Sequence, residues 1–166
     1  MPRKKKEAEL IKCSCKEIYI DGLEKIVSIN QTYRPMKNKK GKMSFRKDPN
    51  ILRFQNILTE KLQESGLKEY KNKGEIYLSL GLKFYLKKNY FYKRDASNFL
   101  KSTEDVISRC IGIDDRFVIH LFLQKIRTDQ NNTEAIGIFL GFHTSESCFK
   151  EDSSCLIIKK FLNFQT

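Results

Sequence analysis

The sequence is poor in the features that define membrane, secreted and disulfide-rich proteins. It contains no tryptophan, only three prolines and eight glycines among 166 residues, and no apolar run that approaches the length of a membrane span. Residues 1–6 are basic, but no apolar segment of the kind found in a signal peptide follows them. We therefore expect a cytoplasmic protein with no membrane partner.

Cysteine and histidine are also scarce, which argues against a structural zinc site. The five cysteines form an odd set without a Cys-x-x-Cys spacing, and two histidines accompany them: Cys13, Cys15, Cys110, Cys148, Cys155, His120 and His143. Cys110 falls on the apolar stripe of a predicted helix and is expected in the core. For the other thiols we expect the free, reduced state that is usual in the cytosol.

Acidic residues are outnumbered, and this imbalance is the strongest global feature. Lysine and arginine total 32 against 20 aspartates and glutamates, which gives a net charge of +12. A charge of this sign favours an acidic partner, nucleic acid ahead of an anionic membrane, although a merely soluble basic protein is the alternative. With 40% hydrophobic residues the chain can still build a core, and its length fits one domain.

Seven basic residues lie close together, with no acid among them before Asp48: Arg34, Lys37, Lys39, Lys40, Lys42, Arg46 and Lys47. A surface loop of this composition is suited to tracking phosphates, so these residues are candidates for nucleic-acid binding. The competing interpretation is a solvated, disordered loop, and the two agree if the loop orders on binding. Lys93 and Arg94 extend the candidate set in the aromatic segment 89–94, whose rings either stack on bases or pack on the domain.

Hydrophobic periodicity predicts a small single α/β (α+β) domain with a mixed sheet and two main helices. Strands are predicted at 17–22, 75–87, 117–127 and 133–142, the second half-buried and the last two paired as a hairpin. One helix begins at Asp48-Pro49 and ends at Ser65-Gly66, and the other follows Asp95. We place the domain at 17–143, a flexible basic arm at 1–16, and an extension at 144–166 that packs on the domain or on a dimer partner.

The second predicted helix carries the candidate catalytic residues, because one of its sides is apolar and the other is polar. With Asp95 at the N-cap and roughly 100° of rotation per residue, the apolar side chains share one side. The other side and the turn that follows carry an amide, an ammonium and three carboxylates: Asn98, Lys101, Asp105, Asp114 and Asp115. Carboxylates gathered in a basic chain suit a Mg²⁺-dependent enzyme acting on a polyanion. The plain alternative is an amphipathic helix with a capping aspartate and an acidic turn.

These residues resemble a known family. The pattern Arg94-Asp95-x-x-Asn98-x-x-Lys101-x-x-x-Asp105, followed by Asp114-Asp115, resembles the RusA family of Holliday junction resolvases. The earlier segment Ser28-Ile29-Asn30-x-x-Tyr33-Arg34 is similar to that family's first loop. The order of predicted elements agrees with the family over about residues 18–142.

The resemblance implies a homodimeric, metal-dependent endonuclease that resolves four-way DNA junctions by paired symmetric nicks in recombination and repair. It assigns Asp95 and Asp115 as metal-binding aspartates and Lys101 as the catalytic lysine, with Mg²⁺ or Mn²⁺ as cofactor. Asp114 is implied as a further metal ligand, and Asn98 and Asp105 as supporting residues.

One position departs from the family pattern. Ser97 stands where the family has a second aspartate, and its hydroxyl can bind Mg²⁺ or hold a water ligand but adds no negative charge. The departure keeps open a non-catalytic DNA- or RNA-binding protein with the same fold and a degenerate metal site. A basic assembly factor with a merely solvated helix face is the third interpretation.

Overall fold

In the computed structural model of the chain, the described residues are 14–28, 33–37, 39–67, 76–129, 133–144 and 161–162. They form the strands β1 (Ser14–Leu23), β2 (Tyr33–Lys37), β3 (Met43–Lys47), β4 (Ile76–Lys87), β5 (Val118–Thr128) and β6 (Glu134–Thr144). The helices are α1 (Pro49–Glu64), α2 (Lys88–Phe91) and α3 (Ala96–Ile111), and a 3₁₀ turn covers Asp115–Phe117.

The main sheet is mixed, as the sequence predicts. Its four strands lie in the order β1-β6-β4-β5, with β4 and β5 parallel and the other pairs antiparallel. The parallel pair requires a long connection, and α2 and α3 supply it. The predicted α+β class with two main helices is confirmed, since α1 and α3 have 16 residues each and α2 only four.

A single hydrophobic core joins the long helices to one face of β4. Leu78, Leu80, Leu82, Phe84 and Leu86 alternate along this strand and are completely buried. They belong to one cluster with the apolar stripes of both helices, and the rings of Phe84 and Phe99 lie 5.2 Å apart. The polar side of α3 is therefore left facing away from the sheet.

The prediction that β4 is half-buried is wrong, because its second face is covered as well. The strand is buried over nearly its whole length. Part of the cover comes from Phe161, which packs so closely that a Cβ placed on Gly81 would lie 2.8 Å from its ring. At this residue the C-terminal extension packs on its own domain, and residues 145–160 and 163–166 lie outside the described part of the chain.

The predicted hairpin between the last two strands is also wrong. β6 lies between β1 and β4, while β5 pairs with the other side of β4. The exposure of the strands agrees with these positions, because β6 is buried on both faces and β5 alternates between half-buried and exposed residues. Closeness in sequence favoured a hairpin, but the nearly continuous apolar run of β6 is typical of a central strand.

The basic segment predicted as a loop forms a separate two-stranded hairpin. β2 and β3 pair antiparallel, with Tyr33 opposite Lys47 at one end and Lys37 opposite Met43 at the other. The turn between them contains Gly41 at a φ of +75°. Proline and a run of like charges argued against strands here. Both are tolerated because each strand of a two-stranded ribbon is an edge strand. Proline has no backbone N–H to donate, and edge strands accept it for that reason.

Several other expectations concern residues that the structure describes only in part. β1 begins at Ser14, so residues 14–16 of the predicted arm belong to a strand, and residues 1–13 lie outside the described part. Cys15 and Cys110 form no disulfide, and Cys110 packs against the core as expected, whereas Cys13, Cys148 and Cys155 lie outside. None of the helices in the described ranges has the length and apolar character needed to cross a membrane.

Candidate active site

Asp95 occupies the N-cap of α3 as predicted, but its carboxylate does not cap the helix. Its backbone is extended, with a φ of −83° and a ψ of 139°, and its carbonyl oxygen accepts a hydrogen bond from Asn98 N at 3.1 Å. An N-cap aspartate normally accepts a first-turn N–H with its side chain. Asp95 makes no such bond and is exposed to solvent. Ordinary capping therefore does not account for this carboxylate, which is available to a ligand.

Lys101 is the centre of an ion-pair cluster on the exposed side of α3. Its Nζ lies 2.9 Å from Asp105 Oδ1 and 2.5 Å from Asp115 Oδ2, with Glu104 Oε2 at 3.9 Å. Asp105 and Glu104 are neighbours of Lys101 by helical spacing, at i+4 and i+3. Asp115 reaches the cluster because α3 ends at Gly112 in the left-handed conformation and the chain turns back.

The ion pair between Asp115 and Lys101 shifts the pKa of both groups. The hydrogen bond from Lys101 lowers the pKa of Asp115. Hydrogen bonds to Asp115 and then to Asp105 raise the pKa of Lys101 well above its ordinary value. Burial, together with the charges of Asp115 and Asp105, raises the pKa of Glu104, although Lys101 opposes the shift. At neutral pH the cluster therefore contains the Lys101 ammonium hydrogen-bonded to the ionised carboxylate of Asp115.

The two adjacent aspartates have different surroundings. Asp114 Oδ1 accepts the backbone N–H of Arg116 at 3.1 Å, and its Oδ2 lies 3.6 Å from Arg116 Nε, so Asp114 caps the 3₁₀ turn. Asp115 instead points its carboxylate at Lys101. An open cleft of about 380 Å³ lies beside both of them and is lined by Asp105, Ser108, Arg109, Gly112, Ile113, Asp114 and Asp115.

A magnesium ion held at this site would have few protein ligands. Asp95 and Asp115 are exposed carboxylates, and Ser97 is an exposed hydroxyl. Within the described ranges no three histidine, cysteine, aspartate or glutamate side chains approach closely enough to hold a metal ion together. Mg²⁺ is usually bound by one or two carboxylates plus waters and phosphate, which this arrangement allows.

A second ion pair lies behind the site, and the sequence did not indicate it. Glu134, at the start of β6, has a fully buried side chain whose Oε2 lies 3.1 Å from Arg94 Nη1. The same oxygen accepts the N–H of Ile26 at 2.6 Å, and the Arg94 guanidinium stacks on the Tyr90 ring at 4.0 Å. Arg94 is thus held inside the domain, and its predicted contact with nucleic acid stays a prediction. The available signal in the sequence was an acidic residue, Glu134, at the start of an otherwise apolar strand.

Lys125 was also missed, and it holds the segment before α3. From β5 its Nζ donates to the carbonyl oxygens of Arg94 at 2.7 Å and Phe91 at 2.9 Å. Both contacts join residues more than 30 positions apart in the chain. No local pattern indicates such a contact, because it depends on which strand lies at the sheet edge.

The predicted nucleic-acid-binding residues are divided between the hairpin and the segment before α3. Four lysines of the hairpin are exposed: Lys37, Lys39, Lys40 and Lys42. In the backbone register of the hairpin, Arg34 is the partner of Arg46, and Lys47 is the partner of Tyr33. In the other segment Lys93 is exposed and Tyr92 is 78% exposed, which leaves that ring free of the core.

The chain matches the model of a known protein family. A family model described as endodeoxyribonuclease RusA matches residues 27–136, which is more than half of the chain. A search of curated proteins returns no match. The matched range contains Asp95, Lys101 and Asp115, the basic hairpin, and the buried pair formed by Arg94 and Glu134.

Proposed function

The chain belongs to the RusA family of endodeoxyribonucleases, and we propose from this premise that it resolves four-way DNA junctions in recombination and repair. We propose further that it acts as a homodimer and makes paired symmetric nicks with Mg²⁺, or with Mn²⁺ in its place. The observation that carries the proposal is the position of Lys101, whose ammonium lies between Asp105 and Asp115, two aspartates that line an open cleft.

Asp95 and Asp115 would hold the metal, with Ser97 and Asp114 as nearby oxygen donors. Held there, Mg²⁺ would supply two things that phosphodiester hydrolysis needs, namely a water of lowered pKa and a positive charge that neutralises the phosphoryl oxygens. The protein contributes exposed carboxylates, of which Asp114 and Asp115 line an open cleft. Asp115 is suited to the role because it is exposed and ionised at neutral pH, and the hydrogen bond from Lys101 lowers its pKa further.

Lys101 acts as a cation in this mechanism. A lysine is protonated at neutral pH, and the hydrogen bonds to Asp115 and Asp105 raise the pKa of Lys101 further, so it has no free electron pair with which to accept a proton from the attacking water. As a charged donor it stabilises the negative charge that develops on the phosphate oxygens. Removing a preorganised donor of this kind usually costs about 100- to 1000-fold in rate.

The hairpin formed by β2 and β3 would hold the arms of the junction by their phosphates. Its exposed lysines stand apart from the main sheet, and the backbone register pairs one arginine, Arg34, with another, Arg46. A homodimer presents two hairpins and two sites related by a two-fold axis, which matches the symmetry of a four-way junction.

A nicking assay on a synthetic mobile junction tests the proposal. The full chain is expected to make paired, symmetric nicks that require Mg²⁺ or Mn²⁺ and to leave a linear duplex of the same sequence intact. Metal-independent cutting, or cutting of the duplex at the same rate, would contradict it. Tight junction binding without any cutting would instead favour the non-catalytic DNA- or RNA-binding protein.

A substitution at Ser97 distinguishes the nuclease from the non-catalytic DNA- or RNA-binding protein. It is exposed in the first turn of α3, where an added carboxylate fits without repacking. If the metal site binds Mg²⁺ weakly because it lacks the aspartate that the family has at this position, Ser97→Asp creates or raises cutting in Mg²⁺. Asn50→Asp, at an exposed position in the first turn of α1, is the matched control for added charge, and an equal gain there would exclude a specific role for position 97.

Neutralising the hairpin is expected to weaken junction binding in a salt-dependent way. Changing Lys37, Lys39, Lys40 and Lys42 to glutamine removes four exposed charges. The slope of log binding constant against log salt should become shallower by about 0.9 for each phosphate that the variant no longer neutralises. Titrations over a range of salt measure this slope, with Lys61→Gln on α1 as control. A slope that does not change would exclude the hairpin from the interface.

A further inference from the structure

We infer that Lys125 is a positioning residue for Asp95, because its ammonium fixes the two carbonyl groups of the segment that leads into the N-cap of α3. The inference rests on the proposed function in one respect, namely that Asp95 is a metal ligand. Lys125 contacts neither DNA nor metal in this role. It acts through the backbone of Phe91 and Arg94.

The contacts of Lys125 enclose the short segment between α2 and α3. Phe91 is the last residue of α2, and Arg94 precedes the N-cap residue, so the two carbonyls mark the ends of the turn. Lys125 Nζ donates to both, at 2.9 and 2.7 Å, and lies 4.9 Å from the centre of the Phe91 ring. Hydrogen bonds from a charged donor are stronger than those between neutral groups.

Asp95 is the site residue that needs this support most. Asp115 is held by its ion pair with Lys101, and Asp114 by its cap on the 3₁₀ turn. Asp95 has no corresponding side-chain bond to the helix. The direction of its carboxylate therefore follows from the backbone before it, and the peptide that joins Arg94 to Asp95 carries the carbonyl that Lys125 holds.

Glu134 fixes the same residue from the other side. Its buried carboxylate binds the guanidinium of Arg94 while Lys125 binds the carbonyl of Arg94. Strands β5 and β6 thus clamp one residue through its main chain and its side chain. Glu134 also accepts the N–H of Ile26, so the clamp extends to the segment that precedes the family's first loop.

Lys125→Met in the full chain tests the inference, because methionine keeps an unbranched stem and removes the donor. Mn²⁺ binding, followed by electron paramagnetic resonance, is expected to weaken by about tenfold, the usual lower limit for loss of a group that orients a metal ligand. Lys125→Arg keeps a charged donor and should restore most of the affinity. Lys87→Met is the matched control, since Lys87 Nζ also donates from a strand to a backbone carbonyl, that of Glu24 at 3.2 Å.

The decisive comparison repeats Lys125→Met in an Asp95→Asn background. A positioning role predicts that the substitution then has no further effect on Mn²⁺ affinity, because residues that act as one unit are not additive. Equal weakening in both backgrounds, or wild-type affinity in the Lys125→Met variant, would overturn the inference. So would a wild-type chain that binds no Mn²⁺.

The Mn²⁺ measurement also separates this inference from the proposed function. A wild-type chain that binds Mn²⁺ but cuts no junction would contradict the nuclease proposal and leave the role of Lys125 intact. A chain that cuts junctions, but whose Lys125→Met variant keeps its Mn²⁺ affinity and its Mg²⁺ requirement, would contradict only the positioning role.

Discussion

Replacing Asp115 by asparagine is expected to reduce junction cutting by about 1000-fold, the upper end of what loss of one preorganised electrostatic group costs. The substitution keeps the size of the side chain and removes its charge, so the carboxylate proposed to hold Mg²⁺ is lost. Lys101 keeps Asp105 as a partner at 2.9 Å, which preserves the local geometry. Junction binding should stay the same or become tighter, because a negative charge near the phosphates is gone.

Single-turnover nicking and binding titrations measured on the same preparation separate the two effects of Asp115→Asn. Asp129→Asn is the matched control, because Asp129 is an exposed aspartate with a basic neighbour, Arg127 Nε at 3.7 Å. The control should keep wild-type cutting. An Asp115→Asn variant that cuts at the wild-type rate would show that Asp115 is not a metal ligand. Loss of binding together with cutting would place Asp115 in DNA recognition instead.

Helix α1 shows why local elements could be predicted from the sequence. Asp48-Pro49 predicted its start, and in the structure Asp48 Oδ1 accepts the N–H of Asn50 at 2.8 Å. Gly66, at a φ of +69°, follows its end as predicted. The same reasoning placed Asp95 at the N-cap of α3 and put Lys101 and Asp105 together. These relations depend on residues fewer than five positions apart, where helical geometry alone decides contact.

The order of the strands could not be predicted in this way. A hairpin of β5 and β6 costs little chain entropy, whereas the observed order places β6 between β1 and β4 through contacts far apart in sequence. The hydrophobic burial of β6 offsets this entropic cost, because both of its faces are apolar and both are buried. The same non-local choice brings Lys125 and Glu134 to the segment before Asp95. The residues of the candidate site on α3 and in the turn after it could therefore be predicted from the sequence. The supporting residues on β5 and β6 could not.

Lys101→Met is expected to separate catalysis from metal binding. Cutting should fall by about 100-fold, because the charged donor to the phosphate is lost. Mn²⁺ should bind more tightly, by about two- to fivefold, since the ammonium that competes for Asp115 is removed and an exposed ion pair is worth about 1 kcal/mol or less. Lys101, Asp105 and Asp115 are each almost half exposed, so a larger gain is not expected.

The opposite directions of the two effects make the Lys101 experiment informative. A substitution that merely unfolded the turn at Gly112 would weaken Mn²⁺ binding and cutting together. Lys61→Met is the control, because Lys61 is exposed on α1 and pairs with Glu64 at 3.2 Å with the i,i+3 spacing that joins Lys101 to Glu104. It should change neither quantity. Cutting that survives Lys101→Met would show that the ammonium is only a counter-ion to the aspartates, and the charge developing on the phosphate would then have to be stabilised by another cation of the site.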